Sequence, residues 1–107
     1  MTSKITYNGN LRTTCEHIKS GNTFITDAPT DNNGKGEAFS PTDTVVTALA
    51  SCMLTVMGIK ADQLNVDMIN ATAEVVKTMA SNPRRISKID MVIKLPKSYD
   101  EKTKSIL

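Results

Sequence analysis

The sequence contains no tryptophan and few other aromatic residues. Two tyrosines and two phenylalanines are present among 107 residues. Aromatic stacking on bases or sugars is therefore not an available binding mode. We expect the core to be filled by Val, Ile, Leu, Ala and the six methionines, which pack as flexible apolar side chains.

Cysteine and histidine are also scarce. Cys15 and Cys52 are the two cysteines, and His17 is the one histidine. Two cysteines do not form the disulfide framework of a small secreted domain, and no Cys-x-x-Cys pair or Cys/His cluster predicts a metal. We therefore expect reduced thiols, no metal and no cofactor. His17 has no acid or nucleophile at a motif spacing, which favours a strand residue over a general base.

An excess of charge of one sign and a long apolar run are both missing. The 13 Lys and Arg are interspersed with 11 Asp and Glu, so there is no basic stripe for a nucleic-acid backbone. The first ten residues are polar and lack the apolar segment of a signal peptide, and no run approaches 18 apolar residues. We predict a cytoplasmic protein with neither nucleic acid nor membrane as a partner.

The first third of the chain has the pattern of short strands. Residues 4–7 and 11–18 flank an Asn-Gly-Asn turn, and residues 23–26 are rich in β-formers, which predicts an antiparallel meander. Residues 27–37 are dense in Gly, Pro, Asn and Asp. We interpret them as a solvent-exposed loop.

A helix start follows this loop. Ser40 is suited to the N-cap, Pro41 to the first helical position and Asp43 to the first turn. Residues 44–61 then run almost without charge, and a helix that is apolar on nearly all sides is a buried one. We expect it to be covered either by a sheet of its own chain or by a partner chain.

Two longer strands and a second helix start complete the pattern. Residues 66–79 and 89–95 alternate between apolar and polar positions around a turn at 80–84, which predicts a hairpin. The Ser98 to Glu101 spacing matches a capping box. A helix that stops at Leu107 leaves its apolar face unfinished, so we expect residues 1–107 to be a single domain truncated within that helix.

Cys52 lies in the middle of the predicted helix. Apolar residues share its face at helical spacings: Val45, Ala48, Leu49, Val56 and Ile59. A cysteine among such neighbours is most often a small buried hydrophobe. Mid-helix it gains little from the helix dipole, so reactivity would require a cation from elsewhere in the fold.

The segment Phe39-Ser40-Pro41-Thr42-Asp43 followed by residues 48–53, ALASCM, resembles the cysteine helix of the OsmC/Ohr family. The strands around Leu11-Arg12 and residues 64–95 are similar to the family's other elements, so the resemblance covers nearly the whole chain. It implies an α+β fold with an N-terminal antiparallel β-meander, a long buried central helix carrying Cys52, a β-hairpin and the start of a second helix. It also implies an intertwined homodimer.

The same resemblance implies a thiol-dependent peroxidase. Cys52 matches the family's peroxidatic nucleophile, which attacks an organic hydroperoxide and becomes a sulfenic acid. The family's second cysteine belongs on the C-terminal helix, beyond Leu107, and Cys15 does not match it. The implied partners are a second copy, a small organic hydroperoxide and an external dithiol reductant. Without a matching second thiol, we expect oxidised Cys52 to stall as the sulfenic acid or to over-oxidise.

The sequence departs from the Ohr pattern at Thr42, where Ohr-type members carry Glu. Arg12 matches the family's arginine and is a candidate thiolate partner, although a lone arginine on a strand is more often a solvated residue. Asp43 is the nearest acid. It lies nine residues before Cys52, which turns a helix by about 900° and points the carboxylate away from the thiol. A helix N-terminal acid is the alternative interpretation of Asp43.

Three hypotheses remain open. The first is a thiol-dependent peroxidase acting through Cys52, and the second is a non-catalytic OsmC-fold homodimer that binds a small apolar ligand. The third is a structural or regulatory interaction domain in which Cys52 is inert. The physiological substrate and reductant and the role of Cys15 are left open by the sequence.

Overall fold

The computed structural model describes residues 1–96, Tyr99 and 101–106. Its elements are listed here in chain order: β1 (Ser3–Gly9), β2 (Arg12–His17), β3 (Thr23–Asp27), a short 3-10 helix (Thr30–Asn32), α1 (Pro41–Gln63), β4 (Thr72–Ala80), β5 (Arg85–Lys94) and α2 (Glu101–Ile106). The chain divides into two compact units, Met1–Val45 and Val46–Leu107. The predicted α+β class, with two antiparallel sheets and one long helix, is confirmed.

The first unit is built on the predicted meander. Strands β1, β2 and β3 are antiparallel neighbours in that order. Cys15 of β2 stands opposite Ile5 on one side and Phe24 on the other. At the end of β3, Asp27 is paired with Arg12. Because side chains alternate along a strand, Cys15 and Arg12 point to opposite faces of this sheet.

The loop after β3 folds back on itself. Gly36 N–H donates to the Ala28 carbonyl at 3.2 Å, and a Cβ on Gly34 would lie 1.7 Å from the same oxygen, so only glycine fits there. The prediction of a solvent-exposed loop from residue 27 is wrong at its first residue, since Asp27 is 1% exposed. Its burial is possible because the Asp27 carboxylate pairs with the Arg12 side chain and accepts the backbone N–H of Glu37.

The second unit contains the predicted hairpin of β4 and β5. Its half-buried face alternates as expected, with Val75 opposite Met91 and Ala73 opposite Ile93. Strand β4 begins at Thr72, later than predicted. Asn65 and Asn70 both have positive φ, a backbone conformation that a continuous strand excludes.

The helix α1 starts at Pro41, as predicted, and runs for 23 residues. In the single chain Cys52 is exposed and only Val46, Ala50 and Ala61 of the helix are buried, so of the two predicted kinds of cover a sheet of the same chain does not bury the helix, and burial against a partner chain stays a prediction. A helix that is apolar on nearly all sides needs cover on all sides. Among the described residues of the second unit, only β4 and β5 make extensive contact with each other.

Two further features concern the helices. The expectation that no run is long and apolar enough to span a membrane is wrong, because α1 has that length and composition. Core helices of water-soluble proteins pass the same test, so this is weak evidence for a membrane span. For α2, the predicted capping serine, Ser98, lies outside the described residues.

Candidate functional site

Cys52 lies within an exposed apolar stripe on α1. We define this apolar stripe by five residues at spacings of four and three: Val45, Leu49, Cys52, Val56 and Ile59. Its four aliphatic members are between 45% and 60% exposed. The spacing keeps all five within one face of the helix, while the buried residues of α1 lie on the opposite face. The thiol is thus both accessible and surrounded by hydrocarbon.

This setting limits what α1 alone can do for the thiol. The thiolate is the reactive form of cysteine, and nearby cations favour it. The one basic residue of α1 is Lys60, eight residues beyond Cys52 and two turns along the helix. Any cation that activates Cys52 must therefore come from another element or from another chain.

Arg12 is held by two carboxylates of the first unit. Its Nη2 atom lies 3.5 Å from Oδ2 of Asp27 and 3.0 Å from Oε1 of Glu37. We call these three residues the Arg12 clamp. The Arg12 side chain is 34% exposed, so it is a partly solvated strand residue that is paired with two carboxylates. The cross-strand pairing of Arg12 with Asp27 explains its position.

Sequence reasoning missed Asp27 and Glu37. The backbone N–H of Glu37 donates to Oδ2 of Asp27 at 3.0 Å, while Oδ1 of Asp27 is buried without a partner. Asp27 lay just outside the predicted strand 23–26, and the observed register places Arg12 opposite it. No local signal points to Glu37, because its position depends on how the loop folds back.

Asp43 forms a reciprocal cap with Ser40. Its Oδ2 accepts the Ser40 backbone N–H at 3.1 Å, and its own N–H donates to Ser40 Oγ at 3.0 Å. These two bonds have the geometry of a capping box, with Asp in place of Glu. They match the interpretation of Asp43 as a helix N-terminal acid. The contacts of Arg12 bring it together with Asp27 and Glu37 and not with Asp43.

Cys15 and His17 lie elsewhere in the first unit. Cys15 is half-buried and lines a groove of about 380 Å³ together with Ile5 and Phe24. The Nδ1 atom of His17 is 2.7 Å from Ser20 Oγ, a contact within the turn after β2. His17 therefore stabilises this turn. Among the described residues, no group of three or more His, Cys, Asp or Glu could hold a metal ion.

Two solved structures are similar to this chain. The first is a crystal structure of an osmotic stress induced and detoxification response protein from Psychrobacter arcticus 273-4. It is 55% identical with a TM-score of 0.95, over 99% of this chain and 77% of that one. The second is an organic hydroperoxide resistance protein OsmC from Legionella pneumophila, 12% identical with a TM-score of 0.67, over 99% of this chain and 79% of that one. At this identity the second likeness shows the fold alone. No protein-family model and no curated protein matches the chain.

Proposed function

The chain belongs to the OsmC/Ohr family, and on that premise we propose that it is a thiol-dependent peroxidase that reduces organic hydroperoxides through Cys52. The observation that carries the proposal is the exposed thiol of Cys52 inside the apolar stripe. The name of the 55% identical structure, an osmotic stress induced and detoxification response protein, supports it. A hydrocarbon surround favours a peroxide with an organic tail over hydrogen peroxide.

The proposed reaction is a two-electron displacement. The Cys52 thiolate attacks the distal oxygen of the hydroperoxide, the O–O bond breaks, and the leaving alkoxide takes a proton to become an alcohol. Cys52 is thereby oxidised to the sulfenic acid. An external dithiol then condenses with it, releasing water and forming a mixed disulfide. The second thiol of the reductant displaces Cys52, which returns to its reduced form while the reductant leaves as a disulfide.

We further propose that a second copy of the chain covers the apolar stripe. The four-three spacing of its members matches the apolar seam of paired helices. Aliphatic side chains exposed to this extent along one helix face mark an interaction surface. In the intertwined homodimer the stripe would be buried, so that Cys52 would lie in a site from which water is excluded. A reducing cytoplasm suits a site that depends on a free thiol.

Arg12 is the proposed thiolate partner of Cys52 in the assembled protein. α1 supplies no cation close to the thiol, and a guanidinium stays charged at all physiological pH values. Arg12 is already fixed by the Arg12 clamp rather than freely rotating, which lowers the entropy cost of placing its charge. We assign Asp43 to the helix cap and not to the reaction.

Turnover with cumene hydroperoxide and dithiothreitol tests the proposal. We compare the parent protein with Cys52→Ser and with the matched control Cys15→Ser. The Cys52 variant should lose peroxide consumption above the dithiothreitol background, whereas the Cys15 variant should retain it. The parent should also react faster with cumene hydroperoxide than with hydrogen peroxide. Consumption that survives Cys52→Ser, or that disappears in Cys15→Ser, contradicts the assignment.

Intact-mass spectrometry without reductant identifies the oxidised product. After one equivalent of cumene hydroperoxide, we expect one or two oxygens added on Cys52 of residues 1–107, because Cys15, the other cysteine among them, does not match the family's second thiol. A loss of two hydrogens mapped to a crosslink between Cys15 and Cys52 would instead make Cys15 the resolving thiol.

A further inference from the structure

The chain folds back at the end of α1 and leaves a groove beside the last turns of this helix. The N–H of Val66 donates to the Ala61 carbonyl at 3.0 Å. The N–H of Asn65, a residue with positive φ, donates to the Asp62 carbonyl at 3.2 Å. These bonds form a Schellman motif, which reverses a chain at a helix end. The groove lies within the second unit and measures about 420 Å³, and its lining includes Gly58, Ile59, Asp62, Asp67, Met68 and Ile69.

We propose that this groove, the tail groove, binds the organic tail of the hydroperoxide, and that Asp62 selects a tail with a positively charged end over one with a carboxylate end. The groove thereby sets which hydroperoxides Cys52 reduces. Asp62 is then a specificity-determining residue and not a catalytic one. This inference rests on the proposed function, since it places the reacting end of the substrate at Cys52.

The tail groove continues the apolar stripe of α1. Ile59 belongs to both, because it lies seven residues after Cys52, two turns further along the same helix face. Asp62 lies ten residues after Cys52, which places it about 15 Å along the axis and about 80° to one side. A substrate whose peroxide group meets Cys52 can therefore lay its tail along the stripe, past Ile59 and towards Asp62. One helix fixes all three positions.

The walls of the tail groove offer hydrocarbon that is exposed to water. Ile59 of α1 is 57% exposed, and Ile69 of the following segment is 72% exposed. Gly58 contributes no side chain, and a Cβ at this position would meet no atom within 4 Å, so the space beside the helix is open. An apolar chain in the groove removes both isoleucines from water, which is favourable in proportion to the area covered. The groove therefore suits a hydrocarbon tail.

The segment opposite α1 is held in place by hydrogen bonds. Oδ1 of Asp67 accepts the Ile69 N–H at 2.8 Å, and the Tyr99 hydroxyl donates to the Asp67 carbonyl. This wall of the tail groove is thus fixed before a ligand arrives, which lowers the cost of binding.

Charge at the far end of the tail groove favours a cation. Among the described residues, the Asp62 carboxylate has neither a hydrogen bond nor an ion pair. Lys60, the one basic residue of α1, lies two residues before Asp62 and about 200° around the helix, so it points away. The carbonyls at the C-terminal end of α1 form the negative end of the helix dipole and add to the negative potential.

Asp62 opposes the stability of its own helix. A carboxylate in the last turn is repelled by the helix dipole, and within the described part of the chain no cation offsets this cost. A residue that breaks a local rule without a structural gain is expected at a functional site. A bound positive charge supplies the partner that Asp62 lacks.

Binding to the tail groove is measured without peroxide. Isoleucine methyl groups are isotope-labelled for NMR, and the protein is titrated at low salt with octylammonium or with octanoate, which has an equally long chain and the opposite charge. The methyl signals of Ile59 and Ile69 should shift with octylammonium, and octanoate should bind about tenfold more weakly. Attraction of one ligand and repulsion of the other are each worth up to about fivefold at an exposed carboxylate. High salt should reduce the difference by screening.

Three variants locate this binding. Asp62→Asn should reduce the difference between the two ligands to about threefold or less, whereas Asp90→Asn, which removes an exposed acid of β5, should leave it unchanged. Gly58→Leu fills the groove and should abolish the octylammonium shifts of Ile59 and Ile69, while far-UV circular dichroism checks the fold. An Asp62→Asn variant that keeps the parent's difference, or shifts that survive Gly58→Leu, overturn the inference.

Substrate selection is measured by stopped flow with two hydroperoxides of equal chain length, one ending in a trimethylammonium group and one in a carboxylate. At subsaturating concentration the cationic peroxide should oxidise Cys52 about tenfold faster, and Asp62→Asn should bring the two rates within about threefold. Equal rates in the parent overturn the inference. If no hydroperoxide oxidises Cys52 but octylammonium still binds with the same dependence on Asp62, the proposed peroxidase is wrong and the cation-selective groove stands.

Discussion

Removing the carboxylate of Asp43 tests whether this residue caps the helix or takes part in the reaction. In the structure the side chain accepts the Ser40 N–H at 3.1 Å and sits in the first turn of α1. One hydrogen bond to a charged acceptor contributes about 1.5 kcal/mol or more, and a first-turn acid adds about 0.3–1 kcal/mol through the helix dipole. We expect Asp43→Ala to lower the free energy of unfolding by about 2 kcal/mol.

Urea unfolding followed by far-UV circular dichroism measures this change. All variants are compared at one fixed protein concentration, because association contributes to the stability of a dimer. Ser40→Ala removes the other bond of the cap, from Asp43 N–H to Ser40 Oγ, and should cost about 1 kcal/mol. Asp62→Ala is the matched control: this acid lies in the last turn of α1, where it opposes the dipole, so its removal should not destabilise.

The rate of Cys52 oxidation decides between the two roles of Asp43. A cap affects how much protein is folded but not how fast the folded protein reacts. Under native conditions Asp43→Ala should therefore react with cumene hydroperoxide within about twofold of the parent rate, far less than the loss expected for a group that stabilises charge at the reacting centre. A loss of tenfold or more with unchanged unfolding would place Asp43 in the reaction and refute the helix-cap assignment.

Two further variants probe the apolar stripe and the loop after β3. Val56→Asp puts a charge into the proposed dimer interface and should raise the dissociation constant at least about 100-fold in sedimentation measurements. Thr47→Asp places the same charge on the opposite side of α1 and should leave the dissociation constant unchanged. An unchanged constant in both variants speaks against the interface. Gly34→Ala places a methyl group 1.7 Å from the Ala28 carbonyl and should cost about 2 kcal/mol or more in urea unfolding. Its control, Gly58→Ala, has open space at the Cβ and should be neutral or stabilising; a tolerated Gly34→Ala would refute the tight loop.

Features fixed by local chemistry were predictable from the sequence. The Asn-Gly turn, the strand alternation of the hairpin and the Ser-Pro helix start depend on residues within a few positions of one another, and all are found. The late start of β4 was not predictable from alternation alone. The apolar pattern continues through residues 66–71, but Asn70 adopts a left-handed conformation, which periodicity does not reveal.

The exposure of α1 and the contacts of Arg12 could not be predicted, because both depend on residues that are distant in the sequence or on another chain. Periodicity shows that a helix is apolar, but it does not show which chain covers it. In the single chain α1 is therefore largely exposed, although its sequence has the pattern of a buried helix. Arg12 illustrates the same limit within one unit. Its pairing with Asp27 follows from strand register, whereas its contact with Glu37 depends on a loop closed by Gly34 and Gly36, and no spacing rule relates these positions.

The two halves of the proposed site therefore depend on structure in different ways. Cys52 is placed by helix geometry alone, because four-three spacing sets its face whatever surrounds it. Its reactivity is not placed by that geometry, since α1 provides a hydrocarbon surround and no nearby cation. If Cys52 is the nucleophile, the charge that activates it must come from outside α1, because Lys60, the one basic residue of this helix, lies two turns away.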